Sequence, residues 1–379
     1  MLVGMSYAVT SKITLPPAAR PGDPLSAVDT PALLIELNAF ERNVARMQSA
    51  VNAAGVALRP HAKAHKTPAI SLAQIAAGAV GVCCQKVSEA LPFIEAGVRN
   101  IHISNEIGSP AKAALLAEAA RHAAMSVCVD HPTQIGWLAE AVETPLDVFV
   151  ELNTGQDRCG VNDGEAVLRL VEKLQAHQQL RFKGLQAYHG KVQHVRSTAE
   201  RGDIALRAAE RAGAVVAALA ARGVPCEVVT GGGTGSVEFD LQGGIYTEIQ
   251  AGSYVFMDAD YNRNDYANEW RFEQSLFLAS RVMSIGDGSR IVLDAGLKSL
   301  AVDTGLPDIW DRPLDYISAN DEHGIVKAQE GAAHPPLGEQ LLLVPGHCDP
   351  TLNLHDELIA FRDGIVEAIW PIAARGLSR

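Results

Sequence analysis

The sequence predicts an α/β fold, a (β/α)8 TIM barrel, followed by a second, β-rich domain. Three observations carry this. Between about residues 56 and 252, eight short apolar runs alternate with alanine-rich stretches of helical periodicity. After about residue 265 the helical pattern stops, and apolar runs are separated by Gly, Asp and Pro. A chain of 379 residues that is 47% apolar can also bury one large core and a smaller second one.

The strand candidates in order are VALRPHA (56–62), VGVCC (80–84), NIHIS (100–104), MSVCVD (125–130), LDVFVEL (146–152), FKGLQAY (182–188), CEVVTG (226–231) and TEIQAG (247–252). Stretches such as KTPAISLAQIAAG, KVSEALPFIEAG and EAVLRLVEKLQAH supply crossover helices, which parallel strands require. The segment 232–246, GGTGSVEFDLQGGIY, has no good helix pattern and is the weak link. In the last third, SLFLASRVMSI, SRIVLDAG, EQLLLVPG, DELIAFRDG and VEAIWPIAA read as antiparallel strands, with little that could form a helix. An early apolar run, LLIEL, precedes a helix within 27–55 and is expected to pair with this second domain. The expected division is a barrel over 28–265 and a β domain over 266–379, joined by the N-terminal segment 1–37.

Composition narrows the partners. A net charge of −12 disfavours a nucleic-acid backbone. The first residues lack the basic start of a signal peptide, and no apolar stretch approaches bilayer length, so a cytoplasmic protein without membrane attachment is expected. Six cysteines without zinc-finger spacing read as small buried apolar groups.

Barrels of this kind work at the C-terminal ends of their strands. The first strand ends in RPHAKAHK, where alternation puts Arg59, His61 and Lys63 on one side. Against a basic loop facing water stands the reading of a lysine at the barrel mouth, its pKa lowered by cationic neighbours so that it can form a Schiff base. TGGGTGS, from Thr230 through Gly232, Gly233 and Thr234 to Ser236, follows the seventh strand, where barrels often bind phosphate. QAGSY, with Gly252, Ser253 and Tyr254, follows the eighth. The alternative is a flexible turn. In PGHCDPTLNLHD, His347 and Asp349 lie two apart with His355 and Asp356 further on, a donor set that suits Mn, Mg or Zn, against a hydrogen-bonded turn. Arg158 after the fifth strand could reach a ring nitrogen or a carboxylate, and Tyr188 ends the sixth. Gln85, Lys86, Gln186, His189, Gln193 and His194 are further polar candidates.

Taken together, RPHAKAHK, GVCCQKVSEA, HISNE, RCGV, LQAYHG, TGGGTGS, QAGSYVFMDADY, DAGLKS, DEHG and PGHCDPT resemble the D-threonine aldolase family, over essentially the whole chain. The resemblance implies an alanine-racemase-type barrel with a β domain, paired as a homodimer, and pyridoxal 5'-phosphate carried on Lys63. It implies a divalent ion held by His347 and Asp349, Mn first, with Mg, Co or Zn as alternatives. His61 resembles the base beside that ion. Arg158, Tyr188, Thr230, Gly232, Gly233, Thr234, Gly252, Ser253 and Tyr254 resemble cofactor-binding positions.

The implied reaction is cleavage of 3-hydroxy-D-amino acids, D-threonine and D-allo-threonine among them, to glycine and an aldehyde. Relatives of the same kind include 3-hydroxy-D-aspartate aldolases and D-serine or 3-hydroxyaspartate dehydratases, so cofactor is implied more firmly than substrate. A racemase would not need the hydroxyl-directed ion, and a non-catalytic cofactor carrier would not need the β domain. A substrate with a second carboxylate would require a spare cation, for which Arg59, Lys66, Arg263 and Arg271 are the candidates.

Overall fold

The computed structural model describes residues 15–286 and 290–379. The reading of the extreme N-terminus as lacking a signal, and the first part of the segment 1–37, lie outside the described residues.

Among the described residues a 3-10 turn (Leu25–Ala27) leads into β1 (Ala32–Glu36) and α1 (Leu37–Ala53), after which the chain enters the barrel. Its strands are β2 (Ala57–Leu58), β3 (Val82–Cys84), β4 (Asn100–Glu106), β5 (Ala124–Val129), β6 (Leu146–Glu151), β7 (Leu180–Ala187), β8 (Val228–Gly231) and β9 (Glu248–Ile249). Each of the eight runs anticipated from the sequence overlaps one of them. All pair in parallel, in the order β2-β9-β8-β7-β6-β5-β4-β3. A bridge between His61 and Cys83 joins the two ends of this order and closes the barrel. β2 is short because Pro60 has no N–H to donate; its carbonyl still accepts from the Cys83 N–H at 2.8 Å.

The crossovers are α2 (Pro68–Ala76), α3 (Val87–Glu95), α4 (Pro110–Ala119), α5 (Pro132–Ala141), α6 (Gly164–Gln175), α7 (Thr198–Ala221) and α8 (Val237–Gln242). Local sequence sets their starts. Ser109 caps α4 ahead of Pro110, and the Asp163 side chain accepts from the Ala166 N–H at the head of α6. In α6, Val167, Leu170, Val171 and Leu174 make one buried stripe. The short α8 corrects the expectation that 232–246 lacks a helix. Six residues are too few for periodicity to show, and its inward side chains are Val237, Phe239 and Asp240.

After α9 (Ala259–Asn262) come β10 (Leu276–Ile285), β11 (Arg290–Leu293), β12 (Asp308–Ile309), β13 (Leu314–Ala319), β14 (Gly324–Ala328), β15 (Gln340–Val344), β16 (Glu357–Arg362) and β17 (Ile365–Pro371). They form a second sheet with the path β13-β14-β11-β10-β1-β16-β17, while β15 pairs with both β10 and β12. β1 sits inside it, antiparallel to β10 and parallel to β16. The one helix here among the described residues, α10 (Cys348–Leu352), packs on the 3-10 turn Ala62–Ala64 that follows β2. That contact brings the second sheet to the barrel mouth.

The barrel interior is partly polar. Arg59, inside it, pairs with Glu248 at 2.9 Å and donates to Asn100 at 2.7 Å. Glu248 also accepts from Thr230, which accepts from Gln250, each at 2.8 Å. The crowding of positive charge expected at RPHAKAHK is thus met by a partner for each cation. No helix of the described residues is long and apolar enough to cross a membrane.

Candidate active site

Lys63 lies on the 3-10 turn after β2, half-buried, with Nζ 2.6 Å from Asp349 Oδ2. Burial works against its charge, but Asp349 outweighs burial and holds the ammonium above the ordinary lysine range. This corrects the expectation of a lowered pKa, because the nearest charge is a carboxylate and not another cation. Asp349 is held well below the usual carboxylate range: burial raises it, and Lys63, with His347, lowers it further.

His347 caps α10 and Asp349 stands in its first turn. His347 Nδ1 is 2.8 Å from Asp303 Oδ2, which leaves Nε2 for another partner, while the backbone carbonyl accepts from Thr351 Oγ at 2.7 Å. An imidazole fixed by a carboxylate on one nitrogen is the usual support of a metal-binding histidine. The start of α10 is anchored by buried Asp258, which accepts the Cys348 N–H at 2.8 Å. His355 Nε2 donates to the Ser299 carbonyl at 2.7 Å and Asp356 pairs with Arg375, so neither joins His347.

His61 is buried and has both ring nitrogens engaged. Nδ1 accepts the Lys63 N–H at 3.3 Å, and Nε2 lies 2.8 Å from Ser104 Oγ. Burial and the adjacent Lys63 push its pKa well down, so the ring is neutral. His194, on the 3-10 turn Lys191–His194, has Nδ1 2.5 Å from Asp260, and among the described residues its Nε2 meets no partner. Its ring is 5.8 Å, centroid to centroid, from that of Tyr261.

A small cavity at the mouth is lined by His61, Lys63, Tyr188, Gly233, Thr234, Gly252, Ser253 and Tyr261. Thr234 Oγ is buried with no partner. Among the described residues, the N–H groups of Thr234, Gly252 and Ser253 likewise donate to no protein acceptor. These are the features of an anion cradle. Glycine is required in it: a Cβ at Gly252 would lie 2.6 Å from the His61 carbonyl, and one at Gly233 would lie 2.5 Å from Gln193 Oε1.

Other anticipated residues sit differently. Tyr254 is fully buried and its hydroxyl accepts from Gln74 at 3.0 Å, so only its backbone can serve the cavity. Thr230 points into the barrel, toward Glu248. Arg158 stands outside the cavity lining, 5.8 Å above the Tyr188 ring and 3.8 Å from Glu151. Tyr188 does line the cavity. Sequence reasoning missed the supports: Ser104 behind His61, Asp303 behind His347, Asp258 under α10 and Asp240 behind the glycine turn. It also missed Glu106, Glu151 and Cys159, whose ligand atoms all lie within 4.8 Å of one another. Burial and Glu106 raise Glu151 to about 9.

Lys66 pairs with Glu89 at 3.2 Å and Arg263 with Asp308 at 3.2 Å. With Arg59 paired inside the barrel, three of the four cations considered for a second substrate carboxylate already have acidic partners.

Comparison with known proteins places this site in a family. Residues 35–260 match the alanine racemase N-terminal domain and residues 275–361 a putative serine dehydratase domain. A D-threonine aldolase of Arthrobacter sp is 52% identical, covering 99% of this chain and all of its own. A 3-hydroxy-D-aspartate aldolase of Paracoccus denitrificans (strain Pd 1222) is 42% identical over 94% of this chain and 95% of its own. The crystal structure of D-threonine aldolase from Filomicrobium marinum superposes with a TM-score of 0.93 at 47% identity, over 96% of this chain and 100% of that one. The chain therefore belongs to the D-threonine aldolase family, built on the alanine-racemase-type barrel whose cofactor is pyridoxal phosphate.

Proposed function

We propose that this protein is a metal-assisted aldolase that cleaves D-threonine and D-allo-threonine between Cα and Cβ, giving glycine and acetaldehyde, and that accepts other 3-hydroxy-D-amino acids. The observation that supports the reading is the 2.6 Å contact between Lys63 Nζ and Asp349, which would put the lysine proposed to carry the cofactor beside one of the two proposed metal ligands.

The residues fit both groups. Lys63 would hold pyridoxal phosphate covalently. Thr234, with its unpartnered hydroxyl, and the free N–H groups of Gly252 and Ser253 would hold the phosphate, with Gly232, Gly233 and the Tyr254 backbone shaping the turns. Tyr188 would pack on the ring and Arg158 would act over it, while Thr230 supports the turn from below. When bound, the cofactor supplies the electron sink that a breaking bond to Cα needs. His347 Nε2 and Asp349 would hold the divalent ion, which supplies Lewis acidity at the 3-hydroxyl. We assign the ion as Mn, before Mg, Co or Zn.

His61, kept neutral by burial, is the proposed acceptor of the hydroxyl proton. To act so, it must release Ser104 or the Lys63 N–H. His194, held by Asp260 with Nε2 uncommitted, is the alternative acceptor, and comparing His61→Asn with His194→Asn for activity at saturating cofactor decides between them.

In the same reading the chain works in the cytoplasm as a homodimer, and exposed Met283, Ile285 and Ile317 on β10 and β13 supply apolar surface for pairing. The barrel spans 28–265, and the β domain 266–379 is joined by 1–37. The engagement of Arg59, Lys66 and Arg263 favours a substrate without a second carboxylate over 3-hydroxyaspartate.

The test follows products from D-threonine with pyridoxal phosphate present, before and after chelation and again after Mn is restored. Glycine and acetaldehyde that vanish with chelator and return with Mn support the aldolase. Ammonia and 2-oxobutanoate instead would assign a dehydratase.

A further inference from the structure

Behind the glycine turn lies a carboxyl group that none of these roles uses. Asp240 on α8 is 3% exposed, and its Oδ2 accepts from Ser236 Oγ at 2.6 Å and from the Gly233 N–H at 3.2 Å. Gly232, with φ +71°, wraps the same oxygen so closely that a Cβ there would lie 2.7 Å away. Gln193 braces the turn from the other direction. Its Oε1 accepts the Gly235 N–H at 2.8 Å and its Nε2 donates to Ser236 Oγ at 2.7 Å. The Ser236 hydroxyl is therefore spent between two supports, whereas Thr234 keeps its hydroxyl unpartnered at the cavity.

The surroundings of Asp240 are neutral. Ser236 on its own helix and the backbone of Gly232 and Gly233 are its contacts, and the titratable groups that feel its charge are Tyr188 at the end of β7 and Tyr246 ahead of β9. None of these is a cation. Burial pushes the carboxyl up to about 7, and the bonds from Ser236 and Gly233 work in the other direction.

We propose that Asp240 is a positioning residue for the phosphate end of the site: it fastens the glycine turn, and when ionised it weakens the turn's hold on a phosphate. This rests on the reading that the turn receives the cofactor's phosphate. The reason is electrostatic. An ionised Asp240 is a buried anion bonded directly to the backbone that would face a second anion, and it draws the Gly233 N–H toward itself. Protonated, it keeps the Ser236 and Gly233 bonds without the charge.

The test titrates the cofactor-free full chain with pyridoxal 5'-phosphate and with pyridoxal, near pH 6 and near pH 8.5, following cofactor absorbance and tryptophan fluorescence. The ratio of the two affinities isolates the phosphate and cancels the titration of the Lys63 amine, which both compounds share. In the wild type this ratio is expected to fall about tenfold between the two pH values, as the loss of one favourable protonation event would produce. In Asp240→Asn, which keeps an acceptor oxygen but no charge, the ratio should not fall. In Asp240→Ala it should be lower than wild type at pH 6, with pyridoxal binding retained. A wild-type fall reproduced in Asp240→Asn, or an unchanged ratio in Asp240→Ala, overturns the proposal. Equal affinity of the wild type for the two compounds at both pH values overturns the phosphate reading itself.

Discussion

Lys63 Nζ and Asp349 Oδ2 stand 2.6 Å apart, although they are 286 positions apart in the chain. The contact keeps the amine charged, and only a neutral amine attacks an aldehyde. Asp349→Asn removes the charge that raises the lysine, so more of the amine is neutral at pH 7–8. Pyridoxal phosphate should attach to the cofactor-free variant about tenfold faster or more, the change that one pKa unit produces. Stopped-flow absorbance reads this directly, and an unchanged rate would show that the pair does not limit attachment. Metal-dependent turnover should fall in the same variant.

Asp303 holds His347 by its Nδ1. Asp303→Ala leaves both proposed metal ligands in place but frees the ring, and an outer partner of this kind is worth about 10–100-fold in metal affinity. Activity of the variant should recover at high Mn, which separates it from His347→Ala. Failure to recover would place Asp303 in some other role.

Glu151 is almost fully buried, and burial with its neighbour Glu106 raises it to about 9 from the ordinary 4.5. Between those values the folded chain holds a proton that the unfolded chain has lost. Stability from this group is thus complete below about pH 4.5 and declines as pH rises toward 9. Glu151→Gln removes this group's share of the titration and leaves that of Glu106, which burial and Asp130 also raise. The variant's loss of stability between pH 6 and 8.5 should be smaller than the wild type's by about 1–3 kcal/mol, measured by urea unfolding. Parallel pH dependence in the two proteins would refute the assignment.

Arg59 and Glu248 form an ion pair inside the barrel, at 12% and 7% side-chain exposure. Arg59→Met strands Glu248, and stability should drop by about 3–5 kcal/mol. Adding Glu248→Gln should recover part of it, whereas an additive double variant would mean that the two side chains are not coupled.

The barrel was readable because parallel buried strands appear as continuous apolar runs, and VGVCC or MSVCVD has little else to become. The proposed site residues stood out for a related reason: His61, Lys63 and Thr234 lie within short motifs at strand ends, and the fold brings all three to one cavity. Their supports were not. Ser104, Asp240 and Asp303 each act on a residue brought close by the fold, and an isolated serine or aspartate carries no mark of its partner. The charge state of Lys63 failed for the same cause, since Arg59 and His65 are its neighbours in sequence but Asp349 is its neighbour in space. β12, β13 and β14 were missed because segments such as LDYISA are half polar, as edge strands facing water tend to be.

β1 is paired in register with β16, Leu34 against Ile359, before the barrel between them begins. During synthesis the barrel strands are complete once residue 249 has emerged, and domains tend to fold as they appear. β1 has no parallel neighbour, and Lys63 no Asp349, until a hundred or more further residues follow. A nascent barrel can therefore close around its polar interior while the Lys63 amine is still unaccompanied, and the proposed site is completed only when the second sheet follows.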